Sequence, residues 1–312
     1  MANSNRKSTW GGSWTEQKLD CFESYVRAYL TIMNKYRDKF GWHLVYFDGF
    51  AGSGDRGLRE EGEDRTMSLW GEDVTAQDLR VYQGAAERVI ALEGKTRGFD
   101  LYYFVDNGQD SLDKLKLKLD NYPKEGKCFY LPWEANVAIN ALAKMMCEDA
   151  RKIYIPGRPQ HLKTLCLLDP FGMDIEWKSI EKLAGPSLDL WILVPTGAII
   201  SRLIQNDGTL RSPQLLERFF GLSAEVLEKR FFYRDVAPGL FGEVENTTKV
   251  KNIITEIANL YCEQLGTLFK FVTNKPLVMK NSRNVPIFHF VCASNNETAV
   301  KIAAEIINKR QR

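Results

Sequence analysis

Histidine is scarce in this chain. His43, His161 and His289 are the only three in 312 residues, and they stand far apart. Two of them sit on strand-like segments, the usual setting of a satisfied core or edge histidine. No C-x-x-C pair accompanies them, so no metal-ligand spacing exists and no metal site is expected. Cysteine is thinly spread as well, at Cys21, Cys128, Cys147, Cys166, Cys262 and Cys292. Cys166 and Cys292 lie inside apolar runs and read as small core residues. Such scatter argues against a disulfide framework and suits a reducing cytoplasm. Long apolar runs are missing: none approaches the ~20 residues of a membrane-spanning helix. The opening Met1-Ala2-Asn3-Ser4-Asn5-Arg6-Lys7-Ser8 is polar and has no signal-peptide core. A cytoplasmic location without membrane partners is therefore the expectation. An excess of one charge is also missing, with 42 basic against 40 acidic residues and a net charge of +2. That balance does not mark a polyanion-binding protein, although a local basic face stays open. Neither G-x-G-x-x-G nor the P-loop pattern occurs, and there is no internal repeat or low-complexity tail.

What the chain does have is apolar residue, at 44%, enough for a substantial core. The length suits one large α/β domain with insertions or two modest ones. Leu19, Phe22, Tyr25, Val26, Tyr29, Leu30 and Met33 recur at helical spacing, which predicts a first helix that Thr15 caps and that covers a sheet. Strand-like runs follow at 44–47, 99–106, 127–131, 164–168 and 188–194. Helix-length segments separate them, and Leu112, Leu115 and Leu119 mark the face of one. This alternation implies parallel βαβ units, and the continuously apolar strands imply burial on both faces. Near the end, a helix over 250–265, strands near 269–279 and 286–293, and a last helix near 298–308 are expected. The last two strands should add at one sheet edge, one of them antiparallel. Residues 198–249 read as a helical insertion rich in aromatics. Residues 55–80 form a second insertion, beginning Asp55-Arg56-Gly57-Leu58-Arg59-Glu60-Glu61-Gly62-Glu63-Asp64-Arg65, where eight of eleven side chains are charged. Such a segment cannot bury itself; it is either a solvated insertion or a lid over the turn before it.

That turn is the most informative stretch. Leu44-Val45-Tyr46-Phe47 runs into Asp48-Gly49-Phe50-Ala51-Gly52-Ser53-Gly54. Glycines after a strand let backbone approach a ligand where side chains would block it. An acid at the strand end repels phosphate and suits ligand hydroxyls or an amino group. The pattern favours S-adenosylmethionine over a nucleotide phosphate, and the same residues would also make an ordinary tight turn. Asp106 ends the second strand, the position where doubly wound folds grip ribose hydroxyls. Asn136 follows the third strand, near where adenine would lie. Asp169-Pro170-Phe171-Gly172 follows the fourth. In a doubly wound sheet these strand ends converge on one crevice.

Asp169-Pro170-Phe171 resembles the acid-or-amide, proline, aromatic motif of amino-methyltransferases. An exocyclic amine is a poor nucleophile because its lone pair is delocalised into the ring. A side-chain oxygen and a proline-flanked carbonyl accept its N–H bonds and aim the lone pair, while an aromatic ring stacks on the planar substrate. Gly172 stands where many adenine and cytosine enzymes carry an aromatic. Asp-Pro-Phe-Gly is similar to the motif of tRNA guanine-N2 methyltransferases, from which Met173-Asp174 then departs. Asp-Pro also opens ordinary turns.

A closer resemblance spans roughly 14–305. Trp14-Thr15-x-x-Lys18, the 47–54 stretch, Leu168-Asp169-Pro170-Phe171-Gly172, Asp189-Leu190-Trp191-x-x-x-Pro195-Thr196-Gly197 and Phe288-His289-Phe290-x-Cys292-Ala293-Ser294 occur in this order. Together they resemble the three-Cys-motif partner protein family of bacteria and phages. The resemblance implies a Rossmann-like methyltransferase fold: a mostly parallel, doubly wound sheet with an antiparallel edge, in one domain over 1–312. It implies S-adenosylmethionine as cofactor, held by Asp48, Phe50, Ala51, Gly52, Ser53, Gly54, Asp106 and Asn136, with Asp169, Pro170 and Phe171 on the acceptor. It also implies pairing with a three-cysteine, radical-type protein. The expected function is methylation of an amine in a nucleic acid or nucleotide. The alternative is a non-catalytic, methyltransferase-like adaptor of that three-cysteine partner in a phage or defence system.

Overall fold

The computed structural model describes residues 13–53, 84–148, 154–155, 158–159, 161–170, 172–185, 187–239, 242–281 and 283–311. The chain opens with α1 (Ser13–Phe40), which leads into β1 (Trp42–Asp48). Then come α2 (Ala85–Ala91), β2 (Leu101–Val105), α3 (Gln109–Leu119), β3 (Lys127–Leu131) and α4 (Ala135–Glu148). A pair of two-residue strands, Tyr154–Ile155 and Arg158–Pro159, precedes β4 (His161–Leu168). Next are α5 (Trp177–Lys182), β5 (Leu188–Val194), α6 (Pro213–Phe220), α7 (Ala224–Phe231) and the strands β6 (Phe232–Gly239) and β7 (Gly242–Lys249). The chain closes through α8 (Ile253–Leu268), β8 (Phe271–Val272), β9 (Leu277–Lys280), β10 (Pro286–Ser294) and α9 (Glu297–Arg310).

Eight strands make the main sheet, in the order β8-β10-β5-β4-β1-β2-β3, with β9 also paired to β10. β3, β2, β1, β4 and β5 are mutually parallel; β10 runs antiparallel to β5, and β8 and β9 antiparallel to β10. The first strand is central, and the late strands add at one edge. This is the mostly parallel, doubly wound sheet with an antiparallel edge that the sequence leads one to expect.

Burial explains the strand sequences. Leu44 to Asp48 in β1, Thr164 to Leu168 in β4 and Leu190 to Val194 in β5 are buried without alternation, as strands covered on both faces require. At the open edge, β3 keeps exposed and half-buried residues instead. α1 lies along the sheet and packs Leu19, Phe22, Tyr25, Val26 and Leu30 into the core. The Phe22, Tyr25, Trp191 and Phe290 rings meet edge-on or tilted, 4.7–6.2 Å apart. At its far end, Arg37 is buried against Asp100, whose other oxygen accepts the Leu44 N–H at 2.7 Å.

Two expectations need correction. The helix already includes Ser13 and Thr15, so Thr15 is not its cap. The 198–249 insertion is not helical throughout, because β6 and β7 form an antiparallel hairpin there. It follows a π-turn at Thr196–Ile200, and Lys249 ties its base to the Ser201 and Ile204 carbonyls. The charged insertion at 55–80 lies outside the described residues.

Candidate functional site

The carboxyl ends of β1, β2 and β4 are neighbours in the sheet, so Asp48, Asp106 and Asp169 gather at one end. Three backbone N–H groups anchor the turn after β1. Gly49 N–H donates to the Leu167 carbonyl at 2.9 Å, and Ala51 N–H to the Val105 carbonyl at 2.8 Å. Phe50 N–H donates to Asp48 Oδ1 at 3.2 Å. The turn is thus fastened to strands on both sides and closed by its own acid. A Cβ at Gly49 would lie 2.7 Å from Leu168 Cδ2, so a side chain there would have to push Leu168 aside. Gly52 sits at φ +59°, in the left-handed region that glycine favours. Phe50 and Ser53 are half-buried and Ala51 is buried.

Beneath the turn is a cluster only partly anticipated. Lys18, Asp48 and Asp169 retain 1%, 2% and 4% of their accessible surface. Lys18 Nζ forms a short charged hydrogen bond to Asp169 Oδ2. Asp169 Oδ1 is buried and has no hydrogen-bond partner among the described residues. Tyr46, wholly buried, donates its hydroxyl to Asp48 Oδ2 at 3.2 Å. Burial, reinforced by the nearby Asp169, pushes Asp48 up to about 7 against the pull of Phe50 N–H, Tyr46 and Lys18. Burial lowers Lys18, while Asp169 and Asp48 draw it back up.

The remaining expected residues divide. Pro170 is buried beside Asp169. Asp106 is half-buried, and its Oδ1 accepts the Gly108 N–H at 2.8 Å where α3 begins. Asn136 spends its amide on bracing: Nδ2 donates to Glu134 Oε1 at 2.7 Å and to the Asp174 carbonyl at 2.8 Å, and Oδ1 accepts the Glu176 N–H at 2.9 Å. It ties the β3–α4 turn to the loop after Asp169. Gly54 and Phe171 lie outside the described residues.

Tyr46 was not singled out from sequence, and Lys18 stood only in the Trp14-Thr15-x-x-Lys18 resemblance, with no role assigned to it. The signal for Lys18 was its register: with Phe22, Tyr25 and Tyr29 it marks the buried stripe of α1, where a charge needs a buried partner. One strand beyond Asp169, Thr196 Oγ1 and His289 Nδ1 meet at 2.8 Å, both buried. Burial lowers His289 to about 4, so this histidine is neutral and bonded, as its place on a core strand suggests. Among the described residues, no group of three His, Cys, Asp or Glu side chains is arranged to hold a metal. None of their helices is long and apolar enough to cross a membrane.

No family model matches the chain. No curated protein matches it. Among solved structures, it is similar to the complex of Trm1 from Pyrococcus horikoshii with S-adenosyl-L-methionine. The two share 11% identity with a TM-score of 0.36, over 93% of this chain and 71% of that one.

Proposed function

We propose that this chain is an S-adenosylmethionine-dependent methyltransferase acting on an amine of a nucleic acid or nucleotide. One observation carries the reading: a glycine turn and a buried carboxylate with one unpartnered oxygen share the same end of a doubly wound sheet. The turn fits the donor. Its backbone is pinned on both sides, Gly49 and Gly52 keep side chains out of the way, and Asp106 stands one strand over for ribose hydroxyls. When bound, the donor supplies an electrophilic methyl group. Asp169 presents Oδ1 to an N–H of the acceptor while Lys18 immobilises Oδ2. Fixing one oxygen orients the other, and orientation supplies much of the rate in such a transfer. Pro170 lacks an N–H and offers only a carbonyl to the same amine. Asn136 serves this site by holding the loop that follows Asp169.

Calorimetric titration with S-adenosylmethionine and S-adenosylhomocysteine tests the donor half, and labelled methyl incorporation into total nucleic acid tests the acceptor half. Both compounds bind the wild type on this reading. Asp48→Ala loses binding. Asp169→Ala keeps binding and loses transfer, by a factor on the order of a hundred or more, by analogy with a lost oxyanion donor. A wild type that binds neither compound is the adaptor instead. Normal transfer by Asp169→Ala reduces Asp169-Pro170 to a turn.

A further inference from the structure

The Lys18–Asp48–Asp169 cluster does not balance its charge. It holds two carboxylates against one ammonium, and all three groups are closed off from water. Lys18 pairs with Asp169 through a charged hydrogen bond. Among the described residues, Asp48 receives only dipoles directly, the Phe50 N–H at 3.2 Å and the Tyr46 hydroxyl at 3.2 Å. The charged or titratable groups among the described residues that face Asp48 are Lys18 from α1, Tyr46 from β1, Asp169 from the end of β4 and Cys166 within β4. Lys18 is the one cation in that set. With both carboxylates ionised, one negative charge is left over in a place that water does not reach, which is costly. Either a proton or a cation from outside must take it up. Asp48, pushed to about 7, sits where that exchange happens near neutral pH.

The donor and its product differ in this respect. S-adenosylmethionine carries a sulfonium, whereas S-adenosylhomocysteine carries an uncharged thioether and is otherwise nearly the same molecule. We propose that the Lys18–Asp48–Asp169 cluster reads the charge on the donor's sulfur, giving up a proton when the cationic donor binds and keeping it when the neutral product binds. This rests on the methyltransferase reading and deepens it. The cluster then favours donor over product without any contact to the methyl group itself. It also favours release, because the cluster regains its unpaired charge once the sulfur is neutral. Lys18 sets the count: it cancels one of the two carboxylates, so a single proton is exchanged.

Titration calorimetry at pH 6.5, in two buffers of different ionisation enthalpy, counts the protons. The wild type releases most of one proton on binding S-adenosylmethionine and none on binding S-adenosylhomocysteine. Donor affinity rises about tenfold from pH 6 to pH 8 and levels off, while product affinity does not rise. Sinefungin, which carries an ammonium in place of the methyl-sulfonium, behaves as the donor does. Asp48→Asn, if it binds, releases no proton with any of the three; if it does not bind, the comparison of sinefungin with S-adenosylhomocysteine on the wild type decides. Equal proton counts for donor and product, with both bound, overturn the charge-reading proposal and leave the methyltransferase reading standing. Failure to bind either one removes that reading, and this proposal with it.

Discussion

Lys18 shows how much one side chain does here. It crosses from the buried face of α1 to Asp169 on the sheet, and neither partner meets water. Removing one partner of such a pair strands a charge, which typically costs about 3–5 kcal/mol. Lys18→Met is expected to lower stability by that amount, and Lys18→Met with Asp169→Leu to recover much of it; urea midpoints at fixed pH check both. Asp48 gives a second expectation. Its pKa is raised in the folded state, so the stability it contributes is full below about pH 4 and lost as pH rises through about 7, a change on the order of 4 kcal/mol. His289 tilts the other way: lowered to about 4, it contributes stability above about pH 6.5 that is lost as pH falls through 4. Asp48→Asn removes the first trend alone. Its stability relative to the wild type should therefore improve between pH 5 and pH 8, as read from urea unfolding at each pH. A constant difference would mean that Asp48 is not held near neutral in the native protein. Asp48 and Asp169 were legible in the sequence because each follows an apolar strand and opens a turn. Lys18 entered only through the resemblance and Tyr46 not at all, because a lysine in a helix and a tyrosine in a strand are ordinary until their partners are known.

Elements were easiest to read where burial is complete. β5 spans Leu188–Val194 as expected, since a run of large apolar residues flanked by turns admits little else. β3 was equally clear at Lys127–Leu131 although it lies at an edge. The β6–β7 hairpin was hidden for the opposite reason. Tyr233 and Val236 are exposed, along with Arg234 and Asp235 between them, so no apolar face alternates with a polar one. Its anchors are at the base, where Phe232 is buried and Lys249 reaches two carbonyls. The segment carrying it leaves the sheet at the end of β5, next to the strand that leads into Asp169. Replacing 234–247 with a short Gly-Ser turn should therefore preserve donor affinity by calorimetry and reduce methyl transfer to a large acceptor. Gly197 offers a sharper structural test. A Cβ there would lie 2.0 Å from the Pro286 carbonyl oxygen, which is backbone and cannot swing aside. Gly197→Ala should cost about 1–3 kcal/mol by thermal unfolding, through forced separation of the π-turn from β10.

Across the whole molecule, protection should follow strand order. β1, β4 and β5 are central and closed on both faces, and β3 is an edge with side chains in water. Amide hydrogen exchange is expected to be slowest in the first three strands and much faster in β3 and in β6–β7. Equal rates in β3 and β1 would contradict the burial pattern. The placement of β10 reaches beyond stability. It lies between β5 and β8, inside the sheet, although every other strand precedes it in the chain. Just beyond it, α9 returns to the first helix, where Gln17 donates to the Arg310 carbonyl and the Arg310 guanidinium meets Asp20 at 3.1 Å. During synthesis the ribosome therefore releases α1 and β1 long before their last neighbours exist. The flank of β5 and one side of α1 stay uncovered until residues 286–310 emerge. Such long-range closure is slow. The nascent chain spends that interval with the β5 strand edge unpaired, and an unpaired apolar edge is the kind of surface that templates aggregation.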